Sequence, residues 1–137
     1  MKMKKKTLNK ILVLGGQGFV GKHLINELKK SKFIILVPKK KELNLQNKKL
    51  ITQYLKKTKP TIIINLVSST FFFKNKKKEK LNHYKNTFLT AVNLAEYVDS
   101  SHTKLAIFFG SIEEYGDCKS PKKENVCNSS HMSKFFI

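Results

Sequence analysis

Residues 10–21 read Lys-Ile-Leu-Val-Leu-Gly-Gly-Gln-Gly-Phe-Val-Gly and change from an apolar run to clustered glycines. The continuous apolar run at 11–14 is typical of a parallel strand covered by helices on both faces. Gly16, Gly18 and Gly21 form G-x-G-x-x-G, a spacing that allows a tight turn and a close backbone approach to a pyrophosphate. A helix beginning there would direct free N–H groups and a positive dipole end at the phosphates. The stretch predicts a strand, a phosphate-binding turn and a helix.

The residues after the glycines support that interpretation. Val20, Leu24 and Leu28 are spaced by four residues and predict one apolar face of a helix. For G-x-G-x-x-G alone, a glycine-rich turn without a ligand is the alternative. The predicted strand before the motif and the predicted helix after it favour a dinucleotide-binding turn.

Three further apolar runs predict strands at residues 33–37, 61–66 and 105–109. Alternation of strands with helices indicates an α/β fold with a parallel sheet. We expect a Rossmann-type doubly wound sheet in the order 3-2-1-4, truncated after about four strands. In that order the fourth strand is an apolar edge.

Two helical patterns lie between these strands. Leu50, Ile51, Tyr54 and Leu55 predict a helix that ends before Pro60. A longer pattern with steps of three and four residues predicts a second helix and its buried face, comprising Leu81, Tyr84, Phe88, Ala91, Ala95 and Val98.

The charge of the chain is strongly positive. Its 137 residues, enough for one domain over 1–137, carry 28 basic and 9 acidic side chains, a formal net charge of +19. Such a charge suggests a polyanion partner, and Phe71 to Phe73 beside a lysine run could stack on bases. All basic residues are lysine, however, whereas base readout favours arginine. We favour a solvated lysine surface, with nucleic-acid binding as the less favoured alternative.

Location and metal binding are also constrained by the sequence. No apolar run approaches the roughly 18 residues of a membrane helix, and the apolar run after the basic N-terminus is too short for a signal peptide. Cys118 and Cys127 lack metal-ligand spacing and are expected to be free thiols. We expect a cytoplasmic protein with no membrane partner and no metal site.

The segment after the second strand bears on the choice of cofactor. An acidic residue about 20 residues beyond the glycines would select NAD. None occurs at 37–41, and Glu42 comes slightly late. Lys39 and Lys40 could attract the 2′-phosphate of NADP. We therefore expect the cofactor to be NADP or NAD and favour NADP. The alternative is that these lysines only reflect the lysine-rich composition of the chain.

Four motifs occur in a familiar order: glycines 15, 18 and 21; Glu-Leu-Asn-Leu at 42–45; Lys-Pro-Thr-Ile-Ile-Ile-Asn-Leu at 59–66; and Gly-Ser-Ile-Glu-Glu-Tyr-Gly at 110–116. With them the chain resembles the extended short-chain dehydrogenase/reductase family, the NAD-dependent epimerases and dehydratases of nucleotide sugars. The likeness is strongest to deoxysugar-nucleotide reductases and to GDP-sugar reductases or dehydratases. It corresponds to the N-terminal half of such an enzyme, and the substrate domain is expected to be absent.

The resemblance implies a set of cofactor-binding residues. The glycine turn would hold the pyrophosphate, residues 44–45 would line the adenine site, and residues 66–68 would pass beside the cofactor. Asn93 matches a family asparagine of the following helix. The complete expected set is Gly15, Gly16, Gln17, Gly18, Phe19, Val20, Gly21, Lys39, Asn44, Leu45, Leu66, Val67, Ser68 and Asn86.

The resemblance also implies hydride transfer between a nucleotide sugar and the cofactor, with a serine, a tyrosine and a lysine in the site. Ser111 and Lys134 fall at the serine and lysine positions, but Ser130 stands where the family has tyrosine. The central acid/base is then missing, and we expect the chain as given to be inactive. The alternatives are a non-catalytic cofactor-binding module acting through a partner chain or a homo-oligomer, and a truncated remnant.

Overall fold

Four parallel strands form the sheet of the computed structural model, which describes residues 9–67, 81–82, 85–99 and 102–109. The strands are β1 (Lys10–Leu14), β2 (Ile34–Leu36), β3 (Ile62–Asn65) and β4 (Leu105–Phe108). β1 pairs with β2 and β3, and β3 pairs with β4, all in parallel. The predicted α/β class is confirmed, with strand boundaries within two residues of those expected from the sequence.

The described helices are α1 (Phe19–Leu28), α2 (Lys48–Thr58) and α3 (Thr90–Asp99). A π-helical turn, Lys85–Leu89, leads directly into α3. None of the helices in these described ranges is long and apolar enough to span a membrane.

The order of the strands differs from the prediction. The sheet runs β2-β1-β3-β4, so the expected order 3-2-1-4 is wrong. Nearly all of β1 and β3 is buried, whereas β2 has three residues and leaves Ile34 39% exposed. Because a strand buried on both faces needs a neighbour at each edge, the two most apolar strands lie side by side in the middle. β4 is an edge of the described sheet, as expected.

Helices cover both faces of the sheet. Ile11 and Val13 point to the face covered by α1, where Leu24, Ile25 and Leu28 pack against them. The alternate residues of β1 face the opposite side, since side chains alternate along a strand. That second core comprises Leu12, Leu14, Leu43, Ile51, Leu55, Ile63 and Leu94. Because both alternating sets of side chains in the central strands are apolar, both faces of the sheet need a covering layer of helices.

The buried faces of α1 and α2 differ in detail from those predicted. Val20 is 55% exposed, and the buried Gly21 takes the inward position in the first turn of α1. In α2, Ile51 and Leu55 are buried as expected. Leu50 is exposed, because it lies in the first turn, where its N–H donates to the Oδ1 of Asn47 at 3.1 Å.

The buried face of α3 is also offset from the prediction. Leu81, Phe88 and Ala95 are exposed, whereas Thr90 and Leu94 are buried. A π-helical turn has more residues per turn than an α-helix, so one constant period cannot describe the chain across both segments. Val98 is partly buried and packs against the second core, as predicted. Tyr84, another member of the predicted face, lies outside the described residues.

Candidate functional site

A cavity of about 270 Å³ opens at the carboxyl ends of β1 and β3. β2 and β3 lie on opposite sides of β1, so the connections that leave this end of the sheet diverge. Such a switch point is where ligands bind in open α/β sheets. The described lining residues are Leu14, Gly15, Gly16, Gln17, Pro38, Lys40, Leu43, Asn44, Leu45, Gln46, Val67 and Thr90.

The turn between β1 and α1 forms one wall of the cavity. Gly15 has a φ of 76°, and its carbonyl accepts a hydrogen bond from the N–H of Gly18 at 3.0 Å. A Cβ atom on Gly15 would lie 3.0 Å from the carbonyl carbon and oxygen of Leu66. Both the left-handed conformation and the lack of space require glycine at this position.

Helix α1 lies directly against this turn. A Cβ atom on Gly21 would be 2.5 Å from the Cα of Gly16 and 2.6 Å from the carbonyl oxygen of Gly15. Such distances are far below van der Waals contact between carbon atoms. The absence of a side chain at Gly21 therefore fixes how closely the helix approaches the strand.

The N-terminus of α1 suits an anion. Gly18 precedes the helix without a side-chain cap, and the first turn of α1, which the structure describes in full, has no acidic residue. The first N–H groups of a helix lack intrahelical acceptors and carry the positive end of its dipole. Gly18 itself has an ordinary extended conformation, and among the described residues a Cβ there would meet only the Gly15 oxygen, at 3.3 Å. The approach to these N–H groups is thus open.

The opposite wall begins with a turn after β2. The carbonyl of Lys39 accepts hydrogen bonds from the N–H groups of Glu42 and Leu43 at 2.9 and 3.1 Å. The Lys39 N–H donates to the Glu42 carboxylate at 2.9 Å, which holds that negative charge against the backbone. Among the described lining residues Lys40 is the only charged one, so the cavity has a positive balance.

Asn44 and Leu45 complete this wall, and both have partners within the protein. The Oδ1 of Asn44 accepts from the N–H of Gln46 at 3.0 Å, so this side-chain oxygen, in a segment expected to line the adenine site, already has one donor. The Leu45 carbonyl accepts from the Nδ2 of Asn93 at 3.4 Å, and Asn93 is buried in α3. The loop is therefore braced by a helix on the same side of the sheet.

Tyr54 packs behind this loop against the core on the α2 and α3 side. Burial raises the pKa of its phenol, and the negative charge of Glu42 raises it further. Both effects disfavour the charged phenolate, so Tyr54 remains a neutral hydroxyl at physiological pH. It acts as a packing residue of the wall.

The structure brings together part of the predicted site. Gly15, Gly16, Gln17, Asn44, Leu45 and Val67 line the cavity. Other described members of the predicted set do not line it: Gly18, Phe19, Val20, Gly21, Lys39 and Leu66. Asn86 lies in the π-helical turn. Ser68, Ser111, Ser130 and Lys134 lie outside the described residues, so their predicted roles stay predictions.

Several lining residues were not anticipated. Pro38, Leu43 and Gln46 flank residues that the sequence did indicate, and proximity along the chain could have suggested them. Thr90 is different, because it is a polar residue one position away from the predicted apolar face of its helix. No sequence signal pointed to it. In the described segments, no group of three or more His, Cys, Asp or Glu side chains is arranged to hold a metal ion.

Comparison with known proteins gives one family match. A model of the NAD-dependent epimerase/dehydratase family matches residues 11–134. Over 111 residues the chain is 36% identical to GDP-6-deoxy-D-talose 4-dehydrogenase of Aggregatibacter actinomycetemcomitans, covering 78% of this chain and 37% of that protein. Over 56 residues it is 45% identical to GDP-L-colitose synthase of Yersinia pseudotuberculosis, covering 41% and 18%. The chain thus spans less than two fifths of either relative.

The fold is shared with solved structures. The GDP-mannoheptose C4 reductase of Campylobacter jejuni, solved with NADP bound, superimposes with a TM-score of 0.82 at 22% identity. The match covers 96% of this chain and 40% of that one. At this level of identity the comparison shows the fold alone.

The glycines of the turn allow a matched test of stability. We expect Gly21→Ala to lower the free energy of unfolding by about 1–3 kcal/mol or more, because the new methyl overlaps the Gly15 and Gly16 backbone. Gly18→Ala should change it by less than about 1 kcal/mol, because φ is ordinary there and the new methyl would have a single close contact, 3.3 Å from the Gly15 oxygen. Urea unfolding followed by circular dichroism measures both. Equal losses in the two variants would contradict the close approach of α1.

Proposed function

The chain belongs to the NAD-dependent epimerase/dehydratase family, and from this premise we propose that residues 9–109 bind the adenosine diphosphate part of NAD(P). The observation that supports this proposal is the cavity at the switch point between β1 and β3, which is bounded by the glycine turn. The geometry of the lining fits this group in two respects, at the phosphates and at the base.

The phosphates would lie over the glycine turn. Gly18 leaves the approach to the first N–H groups of α1 open, and this helix end has no carboxylate in its first turn. Backbone N–H groups and the helix dipole together favour an anion there. Phe19, Val20 and Gly21 then contribute through their backbone N–H groups, which is consistent with their absence from the cavity lining.

The base would occupy the apolar part of the cavity. Leu43, Leu45 and Val67 line it from two sides of the sheet end. Its volume of about 270 Å³ is near the lower end of the roughly 300–1,000 Å³ typical of small-molecule sites. That size suits the adenosine end of a dinucleotide, and the nicotinamide end would extend beyond the described lining.

We infer NADP as the preferred cofactor. Lys40 lines the cavity in the segment that follows β2, where the adenosine ribose is bound in doubly wound folds. The Glu42 carboxylate, which could accept from a ribose hydroxyl, is instead bonded to the Lys39 N–H. The Campylobacter jejuni reductase with the same fold contains NADP. Of the two lysines that the sequence suggested for the 2′-phosphate, Lys39 and Lys40, only Lys40 lines the cavity.

For the whole protein we propose a GDP-linked sugar as the substrate class, with a reductase or dehydrogenase reaction. Two relatives are named for GDP-sugar chemistry. The cofactor would supply or accept the hydride. By the family resemblance, Ser111 would position the sugar oxygen, and Lys134 would act electrostatically on a neighbouring acid.

A non-catalytic cofactor-binding module is the second candidate, and Ser130 favours it. A serine hydroxyl is shorter and far less acidic than the phenol that the family has at this position. Cofactor binding and hydride transfer are therefore separable properties of this chain.

Cofactor binding is tested with Gly18→Val. Its side chain should obstruct the path to the α1 N–H groups and weaken NADP binding at least about tenfold, measured by calorimetry. Ala95→Val places the same side chain at an exposed position of α3, away from the cavity, and should bind like wild type. If folded wild-type protein binds neither NADP nor NAD at millimolar concentration, the proposed function is wrong.

The preference for NADP is tested with Lys40→Gln. Loss of the charge should weaken NADP binding about 2- to 10-fold and leave NAD binding unchanged, since only NADP carries the 2′-phosphate. Lys39→Gln and Lys41→Gln are matched controls, because neither residue lines the cavity. A loss for Lys39→Gln but not for Lys40→Gln would assign the contact to Lys39. Equal losses for both cofactors would indicate a general charge effect.

Hydride transfer is tested with a purified protein of residues 1–137, after its binding of NADPH has been demonstrated. We expect oxidation of NADPH by a GDP-4-keto-sugar to be slowed by about 10²- to 10⁴-fold relative to a complete site, because Ser130 offers no positioned acid. Ser130→Ala should leave this slow rate of NADPH oxidation unchanged. From a typical rate of about 10 s⁻¹ this slowing gives about 0.1 s⁻¹ or less, so turnover at about 10 s⁻¹ would refute the non-catalytic alternative.

A further inference from the structure

Thr90, the first residue of α3, has a buried hydroxyl group in the lining of the cavity. It is 1% exposed and lines the cavity. Its Oγ1 atom is buried and has no hydrogen-bond partner among the described residues. Buried hydroxyl groups in native proteins nearly always have a partner, so this exception calls for an explanation.

Other helical threonines of this chain show the usual solution. In α2 the hydroxyl of Thr52 donates to the carbonyl of Lys48 at 2.9 Å, and that of Thr58 donates to the carbonyl of Tyr54 at 2.8 Å. A threonine in a helix commonly satisfies itself in this way, on the carbonyl four residues earlier. For Thr90 that carbonyl belongs to Asn86, which lies in the π-helical turn. The change of helix type thus leaves the Thr90 hydroxyl free for another partner.

The surroundings of Thr90 indicate which partner. Leu14 and Val67 line the cavity with it, and Asn93, one turn later in α3, is bonded to Leu45 of the facing loop. Thr90 therefore shares its stretch of the cavity wall with apolar residues. A single hydroxyl in such a wall can both donate and accept a hydrogen bond, which matches the alternating nitrogen acceptors and amino donor of an adenine edge.

We propose that the Thr90 hydroxyl is a base-recognition group that hydrogen-bonds to the adenine of the bound cofactor. This inference rests on the proposed function and adds a residue to it. Among the described residues the hydroxyl is unsatisfied in the free protein, and the ligand supplies its partner. Stability of the free chain and affinity for the nucleotide then make opposite demands on this position.

The main test is Thr90→Val, which replaces the hydroxyl by a methyl group of the same shape. Thermal unfolding of the free chain should occur at the same temperature or higher, because an unpartnered polar group is removed. Binding of NADP and of AMP, measured by calorimetry, should weaken about 3- to 10-fold, as expected for one hydrogen bond. Thr90→Ser keeps the hydroxyl and should retain most of the affinity.

Thr87→Val is the matched control. The Thr87 hydroxyl is also buried without a partner among the described residues, but Thr87 does not line the cavity. This variant should resemble Thr90→Val in stability and wild type in binding. A merely structural role of Thr90 would give the reverse pattern, with lower stability and unchanged affinity, and would overturn the proposal.

Base analogues locate the contact. AMP in which N1, N3 or N7 is replaced by carbon, or in which the 6-amino group is replaced by hydrogen, is titrated against wild type and Thr90→Val. If the hydroxyl bonds to one of these four groups, the corresponding analogue binds wild type more weakly than AMP does, whereas Thr90→Val binds both equally. Equal losses in the two proteins for every analogue would overturn the role of Thr90 while leaving cofactor binding intact. If wild type binds neither AMP nor NADP, the proposed function itself fails.

Discussion

The packing of α1 against the turn after β1 is the contact on which the rest of the arrangement depends. At Gly21 the helix approaches the Gly15 and Gly16 backbone so closely that a single methyl group would overlap it. This contact sets the position of the helix N-terminus over the end of β1. It also lets Leu24, Ile25 and Leu28 reach the α1-side core formed by Ile11, Val13 and Ile64. The absence of a side chain at Gly21 thus determines both how α1 packs on the sheet and where the positive end of its dipole points.

The topology of the sheet then places a cavity beside that dipole. Because β2 and β3 lie on opposite sides of β1, an opening is expected at the carboxyl end of β1, and the cavity lies there. The Oδ1 of Asn65 accepts from the N–H of Val67 at 3.2 Å and turns the chain at the end of β3, so that Val67 faces the opening. The site is therefore largely a property of the backbone, and the side chains adjust its size and charge.

The sequence predicted the parts of this arrangement that depend on local pattern. The β1 strand, the glycine turn and the three helices follow from apolar period and from residues with special backbone freedom. The strand order could not be read in this way, since a period identifies apolar residues but not which strand edges meet. Thr90 was missed because its helix follows a π-helical turn, which shifts the buried face onto a polar residue. Lys40 was one of two adjacent lysines, and only the turn closed by Glu42 distinguishes them.

The bond from Asn93 to Leu45 has a consequence for the motions of the free protein. Together with the ion pair between Lys48 and Glu96, it joins the loop at 43–46 to α2 and α3. Opening this loop alone would break the hydrogen bond from the buried Asn93 amide. In native-state hydrogen exchange the loop would then open together with the helix that holds it. The wall of the cavity is accordingly preorganised, and its ordering entropy is lost on folding and not when a ligand arrives.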